Sequence, residues 1–307
     1  MALGTNGHGV TEAANFIPEL WSDEVIAGYK KNLVLGNLVT KINHNGKKGD
    51  TIHIPAPVRG SANAKVADTQ VVLQGDTHSV VNLSINKHYE YSVVIEDIVE
   101  VQALSSLRRF YTDDAGYALA TQVDNDLFTI CEGLQGGTVG GSGAALWEKA
   151  VIGGDGTTLF TGNSSNDSDI TDAGIRKMIL KLDNADVPMD GRFMIIPPIA
   201  ANDMLGINRF TEQQYIGNGE AIKTGKIGSI YGIDVYVSSN CPTIESGAAR
   251  VGVMMHKDAL ALVEQMGVRS QTQYKQEYLG DLFTSDTLYG VGELRDTAGV
   301  AFVVPAT

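Results

Sequence analysis

A chain of 307 residues with 43% hydrophobic content can fill a real core, as one large or two ordinary domains, and is not of the disordered class. Its formal net charge of −13 argues against a surface that grips nucleic acid by neutralising phosphates, because such a surface needs clustered Lys and Arg. Thirty-five Gly and 19% charged residues point to many turns and a sheet-rich or mixed fold, and the two cysteines, Cys131 and Cys241, read as small buried hydrophobes of a reducing compartment.

Residues 1–15 are small and polar and read as the mobile end of an arm. They carry neither the basic nor the apolar region of a secretory signal, and no stretch of the chain nears the roughly 18 consecutive apolar residues of a membrane span. Pro18 suits a first helical turn, and the spacing that follows puts Trp21, Val25 and Tyr29 on one face of a short amphipathic helix. With Leu33, Val34, Leu35, Leu38 and Val39 after it, this segment carries apolar surface that belongs to no compact unit and is expected to pack on something else.

From Gly49 the pattern changes to period two, with Ile52 and Ile54 on one side, Thr51 and His53 on the other, and two prolines that mark an edge. Between Val81 and Ile95 the odd positions are apolar and the even ones polar, broken only by Lys87 and Val94. A single strand of that length would reach roughly 50 Å, so it either bends between two sheets or projects from the body. The small, polar stretch from Arg59 to His78, which includes Lys65, makes residues 50–95 a two-stranded arm with a loose tip. A lone hairpin is marginally stable in water, so this one needs a surface to lie on, and another copy of the chain is the simplest candidate. The following bridge carries Arg108 and Arg109, either a solvated or ion-paired turn or a contact between subunits.

Thr112 to Leu134 is the longest helical signal, a spine around which the rest is arranged. Leu119, Val123, Leu127, Ile130 and Leu134 form one apolar stripe with Ala120 and Cys131 beside it, and Thr112 is placed to cap it. Asp124, Asp126 and Glu132 lie off the stripe and are expected to be exposed. A Gly-rich stretch follows as an extended loop, and a second unit opens at Asp169 and Asp172, which have capping-box spacing for a helix bearing Ile175, Ile179 and Leu182. Gly191–Pro198 reads as a buried strand, Ile199–Phe210 as a helix, Ile227–Tyr231 and Ile233–Val237 as strands hinged at Gly232, and Ala249–Met266 as a strand running into a helix. Alternating elements of this size suggest a mixed α/β unit over about 170–265. Tyr274–Asp281, Thr287–Leu294 and Gly299–Val304 read as closing strands that return to the sheet carrying the spine.

Catalytic patterns fail on inspection. KTGKIGS lacks the upstream glycine of a phosphate-binding loop, at Glu220, and has Ile227 where Ser or Thr must meet Mg²⁺. Two partial dinucleotide fingerprints end in Ile222 and Arg295 instead of glycine. No nucleophile elbow, zinc-protease helix or paired-cysteine spacing occurs. Asn166, Asp167, Asp169 and Asp172 lack the sixth-position Gly and final Glu of a calcium loop, and read as a solvated, helix-capping loop. Asp113 with Asp114, and Asp124 with Asp126, do not face each other on a helix. No catalytic residue, cofactor or metal ligand is therefore expected.

Three stretches carry a family resemblance. Gly228, Ile230, Gly232, Ile233, Val235, Ser239 and Asn240 stand in a Gly-x-Ile-x-Gly-Ile-x-Val-x-x-Ser-Asn pattern, Tyr289-Gly290 precedes a closing run Ala298–Val304, and Ala14–Val39 resembles an arm that starts with a helix. Together with the order of parts, they make the chain resemble the major capsid proteins of tailed bacteriophages, with the Hong Kong 97-like fold. The resemblance implies an α+β protein with an N-terminal arm (1–49), an extended-loop hairpin (50–95), a peripheral domain with the spine helix (96–165), an axial domain (166–265) and a return to the peripheral sheet (266–307). It implies a non-enzymatic virion protein, assembled in the host bacterial cytoplasm into hexamers and pentamers of an icosahedral head. Its expected partners are other copies of itself, a separate scaffolding protein, a portal and a possible decoration protein. Double-stranded DNA would be enclosed without sequence-specific binding, behind an acidic wall to which it does not adhere, and no membrane is involved. Trp21, Tyr29, Arg59, Lys65, Arg108 and Arg109 are the candidate contacts between subunits. The alternatives are a hydrolase-like enzyme on the 170–265 unit and a tail-associated or adhesion protein.

Overall fold

In a computed structural model the odd-numbered residues from Val81 to Ile95 face inward and the even-numbered ones outward, yet they do so in two different sheets. The structure describes residues 34–46, 48–56, 60, 62–71, 73, 79–98, 107–135, 152–156, 168–207, 228–244 and 248–306. In chain order the elements are α1 (Leu35–Leu38), β1 (Thr40–Asn43), β2 (Thr51–Ala56), β3 (Ser79–Ser84), β4 (Lys87–Glu96), α2 (Leu107–Ile130), β5 (Ile152–Gly153) and α3 (Asp172–Asn184). There follow β6 (Arg192–Ile196), α4 (Pro198–Leu205), β7 (Ser229–Ile230), β8 (Ile233–Val237), β9 (Thr243–Ile244), β10 (Ala249–His256), β11 (Leu260–Lys275), β12 (Gly280–Glu293) and β13 (Gly299–Pro305).

Three sheets form among the described residues. One has the order β1-β11-β12-β4, with β1 parallel to β11 and the other pairs antiparallel. A seven-stranded sheet runs β5-β13-β10-β6-β8-β7 with β9 beside β10, and β2 and β3 pair alone. The inward-facing strand of the hairpin therefore bends at Ile85 and Asn86, leaving β2 for β12, and the alternation continues through the bend because Leu83, Ile85 and Ile95 stay buried. Glycine permits this crossing: a Cβ on Gly290 would stand 2.4 Å from the carbonyl oxygen of Ser84, and one on Gly292 2.3 Å from Leu83 Cδ2.

Several expected elements take a different form. The spine helix begins at Leu107, so Thr112 lies inside it and does not cap it, and it ends in a short 3-10 turn at Cys131–Gly133. α3 is capped by Thr171, whose side chain accepts from Gly174 N–H at 3.0 Å, in place of the Asp169 and Asp172 box. Leu260–Met266 is strand, not helix. Leu260 and Leu262 enter the main core while Ala261 and Val263 enter a second cluster with Leu83 and Ile85, so both faces are apolar and the period-two signal vanishes. Tyr274–Asp281 holds the β11–β12 turn, and the last strand β13 joins the seven-stranded sheet instead of the one that carries the spine. The hinge at Gly232 is a tight hairpin turn, with Tyr231 at φ 52° and Gly232 at φ 78°.

Candidate functional site

α2 packs against α1, β4, β11 and β12, and its far end enters the main core through Leu127, Phe128, Cys131 and Leu134. Of the stripe, expected to be buried, Leu119, Leu127 and Leu134 are buried, Val123 and Ile130 are only half-buried, and Ala120 beside it is exposed. The acids do not. Asp124, Asp126 and Glu132 are 2%, 8% and 2% exposed, so the expectation that they face solvent is overturned. The reason is that α2 is enclosed on more than its apolar side, and the enclosing elements bring polar hydrogen to Asp124 and Asp126.

Asp124 accepts from the backbone N–H of Gly36 at 2.8 Å and of Val34 at 3.2 Å, and so fastens the start of α1 to the spine. Burial raises its pKa and those amides oppose the rise. Asp126 accepts from the Tyr289 hydroxyl at 2.7 Å and from Gln122 Nε2 at 3.2 Å, with Lys87 Nζ 3.6 Å away. Burial, then the Asp126 carboxylate, push the Tyr289 phenol well above its usual range. Tyr89 packs at a tilt on the same ring, centroids 6.0 Å apart. Lys87 was the break in the apolar-odd alternation of its strand. Its inward position is explained by the carboxylate it meets, and that break was the one sign in the sequence that a buried acid lay opposite. A groove of about 250 Å³ opens beside this seam between α1, α2 and β11, lined by Asn37, Leu119, Val123, Asp124, Leu262 and Tyr289 among others.

A second polar cluster was not anticipated. On the outer part of the four-stranded sheet, Asp286 accepts from Arg269 Nε at 2.8 Å and Nη2 at 3.0 Å, and pairs with His88 Nε2 at 3.1 Å. The guanidinium, then the imidazole, hold the Asp286 carboxyl below its usual range despite partial burial. Asp172, from the acidic loop, pairs with Arg176 at 3.0 Å and accepts from the Tyr231 hydroxyl. Among the described residues no group of three or more His, Cys, Asp or Glu is gathered as a metal site. Cys131 and Cys241 are free and buried, and burial raises both thiols, Cys241 to about 12.

Of the six candidate contacts, Lys65 is exposed, and Arg108 and Arg109 lie in the first turn of α2 with side chains outside the described residues. Trp21, Tyr29 and Arg59 also lie outside the described residues.

Comparison with curated proteins by sequence returns no match. A sequence profile described as phage capsid protein matches residues 90–302, most of the chain. The chain belongs to the phage capsid protein family. Solved structures agree on the fold. A chain titled Mycobacterium phage Che8 superposes with a TM-score of 0.75 at 24% identity, covering 94% of this chain and 97% of that one. The capsid of the cyanophage P-SCSP1u gives 0.75 at 18% identity, over 99% and 97% of the two chains. The head of Helicobacter pylori bacteriophage KHP40 gives 0.69 at 11% identity over the whole of both. This capsid protein has the Hong Kong 97-like α+β fold, is a structural shell-forming protein and not an enzyme, associates with copies of itself into capsomers, and resides in the virion capsid. Asp124 and Asp126 accordingly act as fasteners that tie the helix to α1, β4 and β12.

Proposed function

We propose that this capsid protein builds the icosahedral head of a tailed, double-stranded DNA bacteriophage from hexamers and pentamers, assembled in the host bacterial cytoplasm on a separate scaffolding protein and joined to a portal. A decoration protein on the outer surface is a further possible partner. The units in this reading are the arm 1–49, the extended loop 50–95, the peripheral domain 96–165 with its continuation over 266–293, and the axial domain 166–265 with the closing strand β13. The observation that carries it is the β2–β3 hairpin. Its base rests on a small cluster with Ala261 and Val263, while Lys65, Val66, Val71 and Leu73 beyond it are exposed, so most of its length finds no cover among the described residues. A neighbouring copy supplies that cover, and Trp21, Tyr29, Arg59, Lys65, Arg108 and Arg109 are its proposed contacts. The net charge of −13 suits a wall against which packed DNA must slide and not adhere. Electron microscopy and sedimentation of the purified protein, with and without scaffolding protein, test the reading. Closed shells or capsomers are expected, and discrete monomers under every assembly condition contradict it.

A further inference from the structure

The two edges of the four-stranded sheet, β4 on one side and the part of β11 beyond β1 on the other, are defended unequally. β4 presents His88, Glu90 and Glu96 along its solvent side, the usual charged protection of an edge. β11 is shielded by β1 only over Ala261–Glu264, after which the chain turns away at Asn45 and Gly46. From Gly267 to Tyr274 no described residue hydrogen-bonds its outer backbone. Gly267–Tyr274, eight residues in a row, are exposed on both faces, contain no proline, and carry one charge, Arg269, already engaged by Asp286. Beyond a bulge at Gly267 and Val268, Arg269 to Lys275 pair with β12 on the inner side in unbroken register, so this part of the strand is held straight and ready to accept another. An exposed, regular and nearly uncharged edge of this kind is a template for strand addition.

We propose that the β11 edge pairs antiparallel with the β11 edge of a second copy about a two-fold axis at Gln271, fusing two four-stranded sheets into one. The proposal rests on the shell-forming role and assigns the contact within it: a two-fold contact is isologous, so it joins copies in different capsomers, whereas neighbours within one ring meet through two different surfaces. Complementarity selects the register. About Gln271, Arg269 lies opposite Gln273 and Ser270 opposite Thr272, all within the regularly paired part of the strand. About Thr272, Arg269 would stand against Lys275 twice, and about Gln273 the overlap shortens into the turn.

The test uses the full chain with its scaffolding protein. Gln271→Cys is expected to form a disulfide-linked dimer in assembled particles under copper-phenanthroline oxidation, because a residue on the axis faces its own copy at disulfide range. The native cysteines are buried and do not compete. Gln273→Cys, opposite Arg269, is expected not to link to itself. Gln271→Lys places like charges face to face on an exposed position, so the subunit folds as before while the yield of closed shells falls about tenfold or more. Normal shells from Gln271→Lys, or shells of Gln271→Cys that give no symmetric disulfide, overturn the pairing and leave the shell reading standing. A wild type that never assembles overturns both.

Discussion

Replacing Tyr289 by Phe removes one oxygen from the junction of α2, β4 and β12 and leaves the packed ring in place. The lost bond is a 2.7 Å hydroxyl–carboxylate contact inside a site where Tyr289 is 1% and Asp126 8% exposed. Hydrogen bonds to charged groups are worth about 1.5–3 kcal/mol, so the variant should lose about 2 kcal/mol. In a chain of this size that corresponds to a fall of roughly 3 °C in Tm. Lys87→Met removes the cationic partner of Asp126, but its nitrogen is 3.6 Å away and its side chain 35% exposed, so its loss should be under about 1 kcal/mol. Urea unfolding of the unassembled subunit, with unchanged m-value, measures both. The two also differ in pH dependence. The folded phenol has a pKa above the ordinary 10.0, so its stabilising contribution is complete below that value and is lost as pH rises past it, when only the unfolded chain can ionise. Wild type should therefore lose stability above pH 10 more steeply than Tyr289→Phe. A Tyr289→Phe cost below about 0.5 kcal/mol, or an equal cost for both variants, refutes the view that Asp126 is held chiefly by the tyrosine.

Asp286 should govern the acid limb. Its folded pKa is depressed below 3.8, so its contribution is present above that value and lost as pH falls through the folded pKa, and Asp286→Asn should flatten acid unfolding monitored by circular dichroism. Gly290→Ala, whose methyl would meet a backbone carbonyl, should cost about 1–3 kcal/mol and more than Gly292→Ala, whose methyl meets the movable end of Leu83, as thermal melts would show; the reverse order would place the crossing elsewhere. Deletion of Ser61–Gln74 should leave a folded subunit that fails to form closed shells by electron microscopy, and normal shells would mean that the hairpin does not clasp a neighbour.

The sequence was legible wherever a segment's surroundings repeat along the segment itself. β4 and β3 have one covered and one open face for their whole length, so alternation from Val81 to Ile95 identified every inward residue, including across the bend. β6 and the Gly232 hairpin were legible for the same reason, one as a fully buried run and the other as a turn that demands positive φ. Leu260–Val263 was not, because it lies between two cores and shows neither period. The acids of α2 failed for a deeper reason. A side chain's own polarity predicts exposure only when water is the cheapest source of hydrogen-bond partners, and here the partners arrive from far along the chain, 88 residues away at Gly36 and 163 away at Tyr289. Lys87 hinted at this, since a lysine placed on an inward face must meet an anion there. The same residues explain why the spine is a hub and not a plain core helix. Its apolar stripe holds it in the core, while its carboxylates fix where α1, β4 and β12 sit against it. A shift of any of these elements relative to the helix breaks a charge-assisted bond in a place water reaches poorly, which keeps the four-stranded sheet, and the open edge of β11 with it, in one orientation relative to the core.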